Sequence, residues 1–289
     1  MSDPSGAPLS ASTALPTSLP TSLPTSLPTS LPTSLPTALK ALGLTALAAT
    51  VSALLDQARQ QEPTYDVFLA QALEAELAGR AERAHARRLR AARLPARKTL
   101  GGFDFSFQPS VPERLIRELA SLNFLETATN VLFLGPPGVG KTHLASALAA
   151  RALDAGHSVL FTTLAALAEA LEGSPSPTAW RQRLRRYVQP RVLVIDEVGY
   201  TRLTAEQAHA LFELVTARYE KGAILLTSNT SFAEWGALLG NEVLASALLD
   251  RLLHHAEVIA ISGASYRMKD RQDRTERVTL RPSTVIGAS

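Results

Sequence analysis

The chain has 289 residues, 46% of them hydrophobic, and a formal net charge of +3. That is enough apolar material for one sizeable packed domain and a smaller one. It has no cysteine, which excludes disulfides and thiolate metal sites and fits a cytoplasmic location, and no apolar run of about 18 residues that would predict a membrane span.

In chain order, residues 15–38 read LPTSLPTSLPTSLPTSLPTSLPTA. A proline at every fourth position removes amide donors and forbids a continuing helix. Little apolar surface offsets the ordering entropy. Residues 1–37 are therefore expected to be a disordered leader, either a docking tail or an expanded repeat upstream of the true start. The stretch ALKALGLTALAATVSALLDQA, residues 38–58, imitates a signal-peptide core. It starts too late and runs into a helical pattern, so it reads as an ordinary helix.

Helical periodicity continues to about Arg93, with Tyr65, Phe68, Leu69, Ala72, Leu73 and Leu77 at spacings of three and four. Pro63 and Thr64 are suitable residues to open this helix, and Pro95 ends it. Its last part is basic: residues 80–98 hold eight Lys/Arg and one acid, Glu82. Arg87, Arg88, Arg90 and Arg93 form a patch there that suits a polyanion, or simply a solvated basic face. The linker TLGGFDFSFQPSVPERL, residues 99–115, carries three phenylalanines that predict its pinning to the next domain.

Beyond it, short apolar segments alternate with helical ones: residues 130–135, 158–162, 191–195, 223–228 and 257–261. Such alternation predicts an α/β domain whose parallel five-stranded sheet is flanked by helices on both faces. GPPGVGKT, Gly135 to Thr142, matches G-x-x-x-x-G-K-[ST] between a strand and a helix. Backbone amides of Gly135, Pro136, Pro137, Gly138, Val139 and Gly140 (the prolines lending only shape) would wrap ATP phosphates at the helix N-terminus. Lys141 would reach the β- and γ-phosphates, and the Thr142 hydroxyl would ligate Mg2+.

RVLVIDEVG follows about 55 residues later. Asp196 at a strand's carboxyl end can hold magnesium through water, and Glu197 can orient an attacking water. Paired acids point to hydrolysis rather than nucleotide binding alone. Asn229, ending LLTSN, reads either as a contact to the γ-phosphate or as a turn residue. His143 reads as an ordinary helix residue. In LLDRLLHHAEV, Arg251 lies at the margin of the face made by Leu244, Leu248, Leu249, Leu252 and Leu253. Locally it is a solvated arginine, although a guanidinium also forks well onto phosphate oxygens.

GPPGVGKTHLA, LVIDEVGY, LTSN, FAEWG, LLDRLLHHAEVI and GASYRMK together resemble the IstB-like ATPases, AAA+ proteins close to the helicase loader DnaC. The resemblance covers about residues 39–270. It implies an AAA+ P-loop NTPase domain at 99–270, a helical DNA- or partner-binding domain at 38–98 and a flexible tail at 271–289. It makes Asp196 and Glu197 the Walker B acids and Asn229 a sensor. Arg251 becomes a finger entering the next subunit's site, which requires a homo-oligomer, and Arg267 a weaker candidate for a second sensor. It places a nucleic-acid-facing element at residues 180–191, with Arg181, Arg183, Arg185 and Arg186 as contacts. The function implied is that of an ATP-dependent helper that assembles on duplex DNA, with little sequence specificity, and serves an insertion-sequence transposase. A helicase loader and a nucleotide-gated adaptor without turnover are the alternatives.

Overall fold

The computed structural model describes residues 34–173, 176–266 and 268. Expectations for the leader up to residue 33, for Arg267 and for the tail fall outside these residues. The chain divides into two compact units, 1–81 and 82–289.

The first unit is helical. α1 (Ser34–Ala41) starts inside the stretch assigned to the leader. Pro36 falls in its first turn, where a missing amide costs no hydrogen bond. The single helix expected over 38–58 is two helices. Gly43 adopts φ +73°, breaks the run, and lets α2 (Thr45–Gln61) begin in a new direction. α3 (Tyr65–Ala92) follows Pro63 and Thr64 as expected. Leu47, Val51 and Ala72 form a small core, with Leu35, Leu39, Leu44, Leu54 and Leu55 packed on it. Glu76 of α3 caps α2, its Oε2 accepting from the amides of Ala46 at 2.8 Å and Leu47 at 2.9 Å. The Leu47 amide above all, with Arg80 assisting, holds this carboxyl down to about 2 from an ordinary 4.5. The apolar series on α3 turns outward at Tyr65, Leu69, Leu73 and Leu77, all exposed; of the six residues named, only Ala72 is buried.

The second unit contains α4 (Glu113–Leu119), β1 (Asn130–Leu134), α5 (Lys141–Asp154), β2 (Val159–Thr163), α6 (Leu164–Leu171) and α7 (Pro177–Val188). β3 (Val192–Val198), α8 (Ala205–Arg218), β4 (Ala223–Ser228), α9 (Trp235–Leu239), α10 (Glu242–Leu253) and β5 (Ala256–Ala260) complete it. The five strands form one parallel sheet in the order β2-β3-β4-β1-β5. Side chains alternate across it with the period of two that a strand imposes. Leu132, Leu160, Leu193, Ile195, Ile224 and Leu226 join one core with α6, α8 and α10. Val131, Phe133, Val194 and Leu225 join the other, with Leu144, Leu148 and Ala152 of α5. Burying both faces explains why the strands read as continuous apolar runs, and each leucine so buried contributes about 1.5–3 kcal/mol.

β3 is longer than the expected 191–195. It continues through a bulge, because pairing with β4 runs from Ile195↔Leu226 to Val198↔Ser228. Asp196 and Glu197 thus oppose Thr227 alone. Among the described residues no helix is long and apolar enough to cross a membrane.

Candidate nucleotide site and arginine groove

β1 ends at Leu134, and the glycine loop carries the chain to the N-terminus of α5. Gly140, with φ +100°, precedes the helix. A Cβ there would stand 2.5 Å from a ring carbon of Phe103, so both the turn and the close approach require glycine. Lys141 is 8% exposed and its Nζ donates to the carbonyls of Gly135 at 2.7 Å and Pro136 at 2.8 Å. Its charge therefore lies over the loop.

Thr142 Oγ1 donates to Asp196 Oδ1 at 2.9 Å. Thr227 Oγ1 donates to the same carboxylate oxygen and accepts from the Glu197 amide at 3.1 Å. Asp196 is 4% exposed. Glu197 takes φ +62°, a region sparsely used by side-chain-bearing residues, and its side chain lines the cavity. A bulge that re-aims a side chain is a usual device beside reactive centres. The Asn229 amide donates to Val198 O at 3.2 Å, and Asn229 Oδ1 is buried without a partner at the cavity wall.

Pro137 to Thr142, Glu197, Thr227 and Asn229 share one cavity of about 350 Å³, whereas Gly135, Pro136 and Asp196 do not line it. Its remaining wall is the linker (Pro95, Lys98, Phe103, Asp104, Gln108) together with Tyr200 and Tyr266. The linker phenylalanines are pinned as expected: Phe103 meets Phe105 edge-on at 4.8 Å and His143 at 5.4 Å. His143 Nε2 lies 2.9 Å from Thr99 O; it fastens the linker, a role its local sequence did not announce. Thr227, Gln108 and the linker wall were missed from the sequence. Their signal was the polar residue closing an apolar strand and the aromatic density of residues 103–107.

The donor set fits a magnesium nucleotide. Glycine-rich turns and a helix N-terminus suit phosphates. A hydroxyl and a carboxylate 2.9 Å apart are hard oxygen donors of the kind Mg2+ takes.

Arg251 does not line this cavity. It is half-buried on its own chain, Nη1 donating to Ala247 O at 2.9 Å and the guanidinium carbon 4.7 Å from the Phe212 ring centre.

The two basic patches converge. Arg87, Arg90 and Arg93, at the end of α3, and Arg185 and Arg186, on α7, line one groove floored by Ser158, Val159 and Leu160. No acid lines it. Arg88 is excluded, its Nε buried without a partner. Arg181 and Arg183 also lie outside the lining, and Arg183 Nη1 donates to Glu172 O at 2.9 Å. The helical period accounts for Arg183, two positions from Arg185 and so on another face of α7; it does not account for Arg181, which shares the face of Arg185.

Comparison with known proteins agrees with the geometry. A solved replication initiator DnaA bound to AMPPCP and single-stranded DNA superposes with a TM-score of 0.51 at 18% identity, covering 66% of this chain and 58% of that one. This likeness bears on the fold alone, which is that of an AAA+ P-loop domain. The ATP-binding protein of insertion sequence IS21 from Pseudomonas aeruginosa is 47% identical over 81% of this chain and 88% of its own length. The counterpart of insertion sequence IS5376 from Geobacillus stearothermophilus is 42% identical over 82% of this chain and 94% of its own. With residues 37–274 matching the family described as IstB-like ATP binding protein, the chain belongs to that family.

Proposed function

We propose that this protein is an ATP-dependent DNA-binding helper of an insertion-sequence transposase, acting as an oligomer that hydrolyses ATP between subunits. One observation carries the reading: Lys141, Thr142, Glu197 and Asn229 meet at one cavity, with Asp196 bonded to Thr142 behind it, in a chain whose relatives are named as insertion-sequence ATP-binding proteins.

Lys141, moved from its two carbonyl partners, neutralises phosphate charge. Thr142 and Asp196 would hold Mg2+, whose chemistry is to neutralise charge developing on the transferred phosphoryl group. Thr142 directs its hydrogen to Asp196 and so keeps its lone pairs for that cation. Glu197 accepts the proton of, and orients, a water at the terminal phosphate. Asn229 Oδ1, lacking a partner, accepts from that same water. Arg251 of an adjacent copy completes the charge around the phosphates, because among the described residues no arginine lines the cavity. The arginine groove holds the duplex through its phosphates, which positions DNA without reading sequence.

The test is subunit mixing. Lys141→Ala and Arg251→Ala should each lose ATPase activity, and a mixture of the two should regain part of it. Of the two orientations of a mixed seam, one pairs the intact loop of the Arg251→Ala copy with the intact arginine of the Lys141→Ala copy. Full activity of Arg251→Ala at every protein concentration, or no recovery on mixing two inactive variants, refutes the shared site.

A further inference from the structure

We infer that Thr227 is the positioning residue of the hydrolytic site, one hydroxyl that sets both Asp196 and Glu197. The inference rests on the ATPase reading above and adds a residue to it.

Between the pairs Ile195↔Leu226 and Val198↔Ser228, two residues of β3 face one residue of β4. A bulge leaves the extra backbone groups without their ladder partners. Here a side chain replaces the ladder. Thr227 Oγ1 accepts from the Glu197 amide at 3.1 Å and gives its hydrogen to Asp196 Oδ1. Thr227 is 1% exposed at the cavity wall, so its hydroxyl is committed to these two partners rather than to bulk water. The same oxygen of Asp196 also receives Thr142 Oγ1 at 2.9 Å. A chain of hydroxyl, carboxylate, hydroxyl and amide therefore runs from the glycine loop to the backbone of Glu197.

The second part is the conformation of Glu197. At φ +62° this residue is held where L side chains are disfavoured, and such a conformation persists only when its surroundings over-determine it. The amide bond to Thr227 is the contact that does so from β4. Without it, β3 can relax toward regular pairing, and a slip of one residue turns a side chain to the opposite face of the sheet. Glu197 would then leave the cavity wall it now lines. Valine has the shape of threonine without its hydroxyl, and serine has the hydroxyl without the methyl, so the two functions of the side chain separate.

The experiment compares Thr227→Val, Thr227→Ala and Thr227→Ser in the full chain. It measures ATP turnover, ADP affinity in EDTA and in excess Mg2+ by a fluorescent nucleotide, and thermal melting. Loss of a buried hydrogen bond to a charged partner predicts a fall in kcat of about 10- to 100-fold for Val and Ala. ADP affinity in EDTA stays within about 2-fold, while the gain in affinity on adding Mg2+ shrinks, since Asp196 loses its orientation. Serine restores kcat to within about 3-fold of the parent. Parental turnover in Thr227→Val overturns the inference, as does a serine variant as slow as alanine. Equal loss of ADP affinity with and without Mg2+ also overturns it, because a merely structural role would act that way. If valine does not fold, the serine and alanine pair decides alone. A parent protein that never hydrolyses ATP, at any concentration or with duplex DNA, refutes the ATPase reading. The Mg2+-dependent gain in ADP affinity then still decides on Thr227.

Discussion

The arginine groove makes a quantitative prediction about salt. Five arginines line it: Arg87, Arg90, Arg93, Arg185 and Arg186. If each neutralises one phosphate of a duplex, counterion release gives a slope of log K against log salt of about −0.9 per contact, or about −4.5 in all. A fourfold rise in salt, from about 50 to about 200 mM, then weakens binding about 500-fold. Removing two of the five, in the double variant Arg90→Ala/Arg186→Ala, lowers the slope to about −2.7 and the same salt step to about 40-fold. Arg183→Ala should leave the slope unchanged, because its guanidinium is committed to Glu172 O. Fluorescence anisotropy of a labelled duplex of random sequence, titrated at several salt concentrations, measures all three slopes. A parental slope shallower than about −2, or a double variant with the parental slope, shows that the groove is not where DNA lies.

Other tests address the framework that carries these sites. Glu76 has a folded pKa near 2 against 4.5; its stabilisation of the α2 cap is present above pH 4.5 and lost as pH falls from there toward 2. Helical signal from α1 and α2 should therefore melt earlier on acidification than the sheet domain, and Glu76→Gln should abolish that difference; a parent whose two units melt together in acid contradicts it. Arg218 is 1% exposed, has a pKa lowered to about 10 by burial first and Arg191 second, and donates to the carbonyls of Tyr187, Val188 and Pro190 at 2.8–3.0 Å. Arg218→Met orphans five carbonyl acceptors, of Tyr187, Val188, Pro190, Arg191 and Ala223, and should cost roughly 3–5 kcal/mol, or about 10 °C in Tm; a calorimetric shift under about 3 °C shows that the carbonyls find other donors. Gly140→Ala puts a methyl against Phe103 at a positive φ and should weaken ATP binding at least about tenfold, whereas Gly156→Ala, also at positive φ but facing open space, should cost stability alone; equal ATP affinities in the two variants, read by titration calorimetry, refute the steric argument.

The sheet was legible because β1 to β4 are buried on both faces, so each announces itself as an apolar run that chain-order rules can assemble, and the edge strand β5, though largely exposed, is apolar enough to follow them. The glycine loop was legible because its chemistry is compressed into eight consecutive residues. Thr227 was not, since its role exists only through a register shift between two strands distant in sequence. The apolar series of α3 shows the opposite failure. Tyr65, Leu69, Leu73 and Leu77 have helical spacing but face outward. Periodicity identifies a helix and its face, and tertiary contacts decide which face is covered. The arginine patches were read separately because nothing in one sequence brings residue 87 beside residue 185; the fold does so by laying β2 and the end of α7 beside the end of α3.

Arg251 joins these threads. Its contacts at home are one hydrogen bond to Ala247 O and the face of Phe212. A neutral-acceptor bond and a partly exposed cation–π contact together contribute about 1–3 kcal/mol. A guanidinium that completes a phosphoryl-transfer site is worth about 10³- to 10⁵-fold in rate, or about 4–7 kcal/mol at the transition state. Under the proposed shared site, the gain at the transition state exceeds the cost of giving up these contacts, so Arg251 can leave them without cancelling the rate it supplies. A side chain held this weakly and half-buried is suited to change partners with assembly. In that reading subunit contact governs turnover through a single rotamer change, with no need to rebuild the sheet or the loop behind it.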